Sequence, residues 1–278
     1  MSKAYLGSTG SVLFNEKIAS LILGDHPAIH ENRVRTVSTP GGTGALRIAG
    51  ELINKTKPGA TIWGSNPTWA NHQGVFKAAG LNVKTYPYYD YENKCLDFEG
   101  MMAALKQIPA EDAVLIHACC HNPSGMDLNE EQWREVATLS KEVGYTAVID
   151  IAYQGFGKGL DVDAFGVRLM AQTLDQMIIC SSCSKNFGLY RDRVGAFYVL
   201  TASAADTAKA MSNGCALARA NWSMPPDHGA SAVRMALTDP AMTKQWTDEL
   251  DSMRARIRQP RRCKWGGHGL FNRDNFQS

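Results

Sequence analysis

A lysine that follows a run of small hydroxyl residues has the clearest potential for chemistry in this sequence. Lys185 stands in the segment Ser-Ser-Cys-Ser-Lys-Asn-Phe-Gly, directly after a short apolar run that is typical of a strand. Arg193 follows eight residues beyond it. A deprotonated lysine amine attacks carbonyl carbons, so Lys185 is a candidate for holding an aldehyde cofactor as a Schiff base.

Other side chains that such a cofactor needs occur elsewhere in the chain. Pyridoxal phosphate works best as an electron sink when a carboxylate keeps its ring nitrogen protonated. Its phosphate needs hydroxyls, backbone N–H groups and an arginine, and its phenolate oxygen needs hydrogen-bond donors. The residues that meet these needs by type are Lys185, Asp150, Ser182, Ser184, Arg193, Asn122 and Tyr153.

Six segments give the sequence a more specific character than any single residue. In chain order they read TPGGTGALR (39–47), SNPTWANH (65–72), HACCHNPSG (117–125), DIAYQGF (150–156), SSCSKNFG (181–188) and RANWSMPP (219–226). In these segments and their order, the chain resembles the class I pyridoxal-phosphate aminotransferases of the aspartate/aromatic type. The resemblance runs from about residue 3 to about residue 257.

Apolar strand-like runs alternate with amphipathic helical segments, which predicts an α/β fold with a mostly parallel sheet. Asp150 ends one such run, where open α/β sheets place their ligands. A helix is predicted over residues 202–218, with Arg219 just after it. The resemblance implies the large domain of fold type I, a mostly parallel sheet flanked by helices.

The resemblance also suggests a domain division. Residues 1–257 are expected to form a domain that binds pyridoxal phosphate, and residues 258–278 a divergent tail that is either disordered or unlike the family. Full-length relatives extend before Tyr5 and continue into a small domain that binds the substrate α-carboxylate. We therefore expect the small domain to be largely missing, and with it part of the substrate site.

Roles for individual residues follow from the resemblance. Lys185, Asp150 and Tyr153 are the expected catalytic residues, and His72 is expected behind Asp150. Tyr5 is expected to reach the cofactor phosphate of a partner subunit, and both Asn-Pro bonds to be cis. The expected cofactor-binding residues are Tyr5, Gly42, Thr43, Gly44, Trp69, Asn122, Asp150, Tyr153, Ser182, Ser184, Lys185 and Arg193. The expected substrate-binding residues are Trp69, Asn122 and Arg219.

The function that the resemblance implies is transfer of an amino group between an L-amino acid and a 2-oxo acid. Arg219 favours aspartate and glutamate as substrates, and aromatic amino acids stay open. A homodimer with shared active sites is expected. The net charge of +2 suggests neither nucleic acid nor an anionic membrane as a partner. Seven cysteines in an ordinary composition favour free thiols and a cytoplasmic location.

Two alternatives remain open from the sequence. The cluster His-Ala-Cys-Cys-His (117–121) and the pair Cys180 and Cys183 would suit a metal or redox module, but their spacing is poor and no metal site is predicted. The second alternative is a catalytically impaired protein that binds the cofactor without turning over substrate.

Overall fold

The structure is a computed structural model, and it describes residues 4–258 of the chain. Buried runs rich in valine and isoleucine form the strands, because β-branched side chains pack well on a pleated sheet. The strands of the described residues are β1 (Val34–Pro40), β2 (Thr61–Asn66), β3 (Asn82–Pro87), β4 (Tyr89–Asp90), β5 (Cys95–Leu96), β6 (Ala113–His117), β7 (Thr146–Ile151), β8 (Met177–Ser182) and β9 (Val194–Leu200).

Seven of these strands form one sheet in the order β1-β9-β8-β7-β6-β2-β3, while β4 and β5 form a separate hairpin. The strands β3, β2, β6, β7 and β8 pair in parallel along the sheet. Strand β9 runs antiparallel to both of its neighbours, β8 and β1. The predicted α/β fold with a mostly parallel sheet is therefore confirmed.

Helices fill most of the connections between neighbouring strands of the large sheet, but the loop between β8 and β9 contains none. Several begin at a capping residue, and α6 shows both ends clearly: Asn129 and Gln132 form a capping box, and Gly144 ends the helix with a φ of 82°. The helices of the described residues are α1 (Val12–Leu23), α2 (Pro27–His30), α3 (Gly41–Thr56), α4 (Asn71–Ala78), α5 (Phe98–Leu105), α6 (Glu130–Val143), α7 (Leu160–Asp163), α8 (Phe165–Thr173), α9 (Ala204–Trp222), α10 (His228–Thr238) and α11 (Pro240–Arg258).

The sheet separates two hydrophobic cores. Successive strand residues face opposite sides, so Ile149 of β7 packs into one core and Val148 into the other. Helices α1, α5, α6, α8 and α10 contribute to the first core, and α3, α4 and α9 to the second. Because both faces are covered, the central strands are mostly apolar, and their polar residues lie mainly near their carboxyl ends.

Parallel strands deliver their following loops to one edge of the sheet, and the polar residues of interest gather there. Asp150 is the penultimate residue of β7, and Lys185 lies three residues beyond the end of β8. Asn122 and Trp69 lie in the loops that follow β6 and β2. Both Asn-Pro bonds, Asn66-Pro67 and Asn122-Pro123, are cis as predicted.

The helix predicted over residues 202–218 is wrong at its carboxyl end. Helix α9 continues to Trp222, so Arg219 lies in its last turn and not after it. The Asn221 side chain donates to the Leu217 carbonyl at 3.0 Å, and Ser223 N–H donates to the Arg219 carbonyl at 3.0 Å. The helix stops only at Ser223, where φ is 64°.

The predicted tail, residues 258–278, lies outside the described residues except for Arg258, which ends α11. The division into a domain of residues 1–257 and a tail therefore stays a prediction. Residues 4–258 contain no helix that is long and apolar enough to cross a membrane. The six cysteines within this part of the chain are free thiols, as predicted.

Gly195 in β9 lies where the backbones of neighbouring segments pack closely, beside the edge of the sheet that carries the polar residues. A Cβ there would lie 2.6 Å from the Ser181 carbonyl oxygen and 2.7 Å from that of Gly41. We expect Gly195→Ala to lower the free energy of unfolding by about 1–3 kcal/mol, because backbone atoms cannot swing aside as side-chain ends do. Gly64→Ala in β2 is the control, since its nearest neighbour would be 3.9 Å away. Equal stability of the two variants in urea denaturation would contradict this account.

Candidate active site

A cavity of ≈ 190 Å³ opens at the carboxyl edge of the sheet. It brings together residues that are far apart in the chain, and most of the predicted site residues are among them. The predicted residues that line it are Gly42, Thr43, Trp69, Asn122, Asp150, Tyr153, Ser182, Ser184, Lys185 and Arg193. Five lining residues had no predicted role in cofactor binding, namely Leu46, His117, Cys119, Ala152 and Tyr190.

Asp150 is a buried carboxylate with a histidine behind it. His72 Nε2 lies 3.0 Å from Asp150 Oδ2, and the Thr68 hydroxyl lies 2.8 Å from His72 Nδ1. If the Thr68 hydroxyl donates to Nδ1, then Nε2 carries the proton and donates it to the carboxylate. The expected place of His72 behind Asp150 is confirmed.

Several groups act on the pKa of Asp150. Burial alone would raise this pKa, because a charged carboxylate is poorly solvated inside the protein. The hydrogen bond from His72 is the strongest effect against burial, followed by the electrostatic effects of His72 and His117 and then by the charge of Lys185. Together these effects more than offset burial, so the pKa of Asp150 lies below its ordinary value. Asp150 is therefore a carboxylate at neutral pH and faces the cavity with a negative charge.

Lys185 reaches the same cavity from the loop after β8. Its Nζ lies 4.6 Å from the centre of the Tyr153 ring, and the residue is half-buried. Burial lowers the pKa of Lys185, the charge of Asp150 opposes this, and Arg193 lowers it further. The net effect is a pKa below the ordinary value, so the amine is available as a nucleophile at lower pH than an exposed lysine.

Tyr153 and Asn122 add neutral donors beside the amine. Burial raises the pKa of Tyr153, and the charge of Asp150 adds to this effect. A hydrogen bond with the Asn122 side chain acts in the opposite direction but does not reverse it. Tyr153 therefore stays a phenol at neutral pH, and its O–H group can donate to an oxygen anion in the cavity.

The opposite end of the cavity is suited to an anion. Helix α3 begins at Gly41, and the free N–H groups of its first turn give this end a positive potential. Gly41 has a φ of 74°, and a Cβ there would lie 2.5 Å from Arg193 Nη2. A Cβ on Gly42 would lie 3.0 Å from Ser182 Cβ. The two glycines thus let backbone N–H groups, a hydroxyl and a guanidinium meet.

Three predicted site residues do not line this cavity. Gly44 lies in the first turn of α3, where a Cβ would be 2.8 Å from Pro40 Cδ, so its contact is with the preceding strand. Tyr5 is 89% exposed, and Arg219 is exposed near the end of α9. Their expected roles stay predictions, since those of Tyr5 and Arg219 require a partner subunit.

Two buried histidines, His117 in the cavity wall and His121 beside it, were not predicted as part of the site. The ring of His117 lies 5.2 Å from that of His72 and 4.3 Å from that of His121. Burial lowers the pKa of His117 to about 4 and that of His121 to about 3. Both rings are therefore neutral at physiological pH. His121 bonds the hydroxyls of Ser65 and Ser124 at 2.8 Å each.

The metal or redox alternative gains little from the arrangement of the cysteines. Within residues 4–258, the group of three or more possible ligands that lie close together is His72, His117 and Asp150, without a thiol. Burial raises the pKa of Cys183 to about 12 and also raises that of Cys180. Neither thiol has the thiolate character that metal binding or redox exchange needs.

This fold and this cavity define a class of α/β protein in which a lysine amine, a buried carboxylate and the start of a helix meet at one edge of a mostly parallel sheet. Comparison with known proteins is more specific. The sequence profile of the family "Aminotransferase class I and II" matches residues 1–263. The chain therefore belongs to this family, as its six sequence segments predicted.

Two relatives that are named for different substrates have the same sequence identity to the chain. An aspartate aminotransferase of Salmonella typhi is 48% identical over 261 residues, which are 94% of this chain and 66% of the relative. An aromatic-amino-acid aminotransferase of Pseudomonas aeruginosa is 48% identical over 257 residues, which are 92% of this chain and 64% of the relative. The chain thus spans about two thirds of the length of these relatives.

Solved structures share the fold. An aromatic-amino-acid aminotransferase of Burkholderia pseudomallei, solved covalently bound to pyridoxal phosphate, has a TM-score of 0.91 and 40% identity. The alignment covers 92% of this chain and 65% of that one. The predicted fold, the mostly parallel sheet flanked by helices that these enzymes share, is confirmed.

Burial of His117 makes stability depend on pH. Its pKa is about 4 in the folded protein and near 6.5 when solvent-exposed, so the unfolded chain binds the extra proton between these values. This contribution to stability is complete above pH 6.5 and is lost as the pH falls towards 4. We expect His117→Leu to be less sensitive than the wild type to a change from pH 7.5 to 5, by about 2 kcal/mol of unfolding free energy.

Urea denaturation at the two pH values measures this difference. His117→Leu removes no hydrogen bond, because both ring nitrogens are buried without a partner among the described residues. His228→Gln, at an exposed histidine that begins α10, is the control and should keep the wild-type sensitivity. If His117→Leu lost as much stability as the wild type on acidification, burial of this ring would not be the cause.

Proposed function

We propose that the cavity binds pyridoxal phosphate and that the protein transfers an amino group between an L-amino acid and a 2-oxo acid. Family membership supports the reaction class, and the Burkholderia pseudomallei relative carries this cofactor. The observation that carries the proposal is one cavity that holds the Lys185 amine, the buried Asp150 carboxylate and the Tyr153 phenol.

The anion-binding end of the cavity fits a phosphate group. Gly42 and Thr43 lie in the first turn of α3, where backbone N–H groups are free to bind an anion. The Ser182 hydroxyl and the Arg193 guanidinium border the same end. Together they offer the neutral and charged donors that a phosphate requires.

The other end fits a protonated pyridine ring. Asp150 presents a carboxylate whose low pKa keeps it charged, and this charge would hold a proton on the ring nitrogen. The Trp69 ring also lines the cavity and contacts the ring of His72 edge-on at 5.2 Å. An aromatic face at this position suits a flat ligand.

When bound, pyridoxal phosphate supplies an electron sink for the carbanion that forms at the substrate Cα. The deprotonated Lys185 amine would hold the aldehyde carbon and, once released by the substrate, would carry a proton away from Cα. Tyr153 and Asn122 would donate hydrogen bonds to the ring oxygen anion. Because burial lowers the pKa of Lys185, this amine can act as a base at a lower pH than an exposed lysine.

The cofactor proposal is tested by covalent capture. The Lys185 amine adds to the aldehyde with loss of water, and borohydride then reduces the C=N bond to a stable secondary amine. We expect peptide mapping to find the label on Lys185 in the wild type and to lose it at this site in Lys185→Arg. Lys84→Arg, far from the cavity beside Trp63, is the control and should label as the wild type does.

The outcomes of this experiment separate the proposals. Label spread over surface lysines in the wild type would overturn cofactor binding at this site. Label on Lys185 in a protein that transfers no amino group would favour the alternative of a cofactor-binding protein without turnover. Label on Lys185 together with transfer between aspartate or an aromatic amino acid and a 2-oxo acid would support the whole proposal.

Substrate and assembly form the second part of the proposal. Arg219 and Tyr5 are both exposed and lie outside the cavity of their own chain. An arginine fork suits the distal carboxylate of aspartate or glutamate, and a tyrosine hydroxyl suits a phosphate. We infer that each subunit of a homodimer supplies these two residues to the cavity of the other. The free cysteines support a cytoplasmic location.

Mixing of two inactive variants tests the shared site. Lys185→Ala lacks the amine, and Arg219→Ala lacks the group proposed to bind the distal carboxylate in the partner's cavity. In a hybrid dimer, one cavity has an intact Lys185 and receives an intact Arg219 from the other subunit. We expect the randomised mixture to recover roughly a quarter of wild-type aspartate turnover, since half of the dimers are hybrids with one intact site.

The control is a mixture of Lys185→Ala with Lys185→Arg, in which neither subunit has a lysine amine and no recovery is expected. Analytical ultracentrifugation measures the dimer directly. A monomer, or a dimer whose mixed variants stay inactive, would contradict the shared site.

A further inference from the structure

Helix α11 contacts the loop that carries Lys185. The Trp246 indole N–H donates to the Asn186 carbonyl at 2.7 Å. The Trp246 ring also stacks on Phe187, with the ring centres 4.3 Å apart and the planes only 3° from parallel. The two residues directly after Lys185 are thus held by one side chain, which comes from 60 positions further along the chain.

The two sides of Lys185 are held in different ways. On the amino side, Cys183 N–H donates to the Val194 carbonyl at 2.9 Å, which continues the pairing of β8 with β9. On the carboxyl side, Gly188 N–H closes a turn onto the Lys185 carbonyl at 3.1 Å. Within residues 4–258, no backbone hydrogen bond joins this turn to a strand. The contacts with Trp246 supply an external attachment.

Asn186 shows how tightly this turn is enclosed. The residue is only 4% exposed, and its side-chain Oδ1 is buried without a partner among the described residues. A buried amide oxygen without a partner costs free energy, so neighbouring contacts must hold the residue in place. The hydrogen bond from Trp246 to the Asn186 carbonyl is one such contact.

The same helix contacts a second loop of the cavity. Arg254 Nη1 donates to the Gly155 carbonyl at 2.9 Å, two residues after Tyr153. The fully buried Leu250 side chain occupies the space where a Cβ of Gly155 would be. Successive turns of α11 therefore hold the loops of both Lys185 and Tyr153.

We propose that Trp246 is a positioning residue for Lys185, and that its hydrogen bond and ring stacking fix the lysine amine relative to Tyr153 and Asp150. The inference rests on the proposed function. A lysine amine sits on a flexible four-carbon stem, so its position depends on how firmly its own backbone is held. Small displacements of a reacting group reduce reactivity steeply, and supporting contacts prevent them.

Two variants separate the contacts. Trp246→Phe keeps a ring over Phe187 and removes the indole N–H, whereas Phe187→Leu keeps the hydrogen bond and removes the stacked pair. Trp63→Phe is a matched control, because it removes an indole hydrogen bond of 2.9 Å to Asp112 at the far end of the sheet. The readout is the rate at which pyridoxal phosphate labels Lys185, followed by borohydride reduction and peptide mapping across a range of pH.

We expect Trp246→Phe to label Lys185 roughly 3- to 10-fold more slowly than the wild type, the effect of one neutral hydrogen bond. We also expect the midpoint of the pH dependence to rise, because a less confined amine is better solvated and returns towards an ordinary lysine pKa. Phe187→Leu should change both quantities in the same direction. Trp63→Phe should leave both quantities as in the wild type.

Three outcomes would overturn the inference. Wild-type rates and midpoints in both Trp246→Phe and Phe187→Leu would show that the contacts do not position the amine. Equal losses in Trp246→Phe and Trp63→Phe would indicate general destabilisation. Absence of any label on Lys185 in the wild type would remove the proposed function itself, and this result differs from the other two because it needs no variant.

Discussion

The buried charge of Asp150 is the constraint on which the rest of the site depends. A carboxylate in the protein interior is tolerated only with partners, and Asp150 has the His72 N–H behind it and the Lys185 charge nearby. Strand β7 pairs with β6 and β8 on its two sides, so the carboxylate cannot move to solvent without breaking the sheet. The loops that supply its partners must therefore extend to the Asp150 carboxylate.

Neutral histidines complete this environment. His117 and His121 have pKa values far below physiological pH, so they fill the space beneath the cavity without adding positive charge. A second cation beside Asp150 would compete with a protonated ring nitrogen for the same carboxylate. Under the proposed function, the low pKa of these rings leaves the negative charge of Asp150 directed into the cavity.

Strands and the residues that follow them were predictable, while contacts between distant side chains were not. Apolar runs located β6, β7 and β8, and the rule that parallel strands end at one edge brought Asp150 and Lys185 together. The stacking of Trp246 on Phe187 could not be predicted from the sequence. Hydrophobic periodicity shows which face of a helix is buried, but not which loop that face contacts. The role of Tyr190 in lining the cavity was also not predicted. Tyr190 is 59% exposed, and the sequence pattern does not show which cavity an exposed loop residue borders.

Under the proposed function, cofactor chemistry and substrate choice depend on different parts of this chain. The groups that fit pyridoxal phosphate converge in one cavity, whereas Arg219, the residue expected to bind the distal carboxylate of a substrate, is exposed outside it. Relatives named for aspartate and for aromatic amino acids are each 48% identical to the chain. A common cavity combined with a separately placed substrate ligand explains this pattern, because the cofactor residues are under the same chemical demands in both. Substrate preference can then change at the separately placed ligands without disturbing the buried carboxylate and its partners.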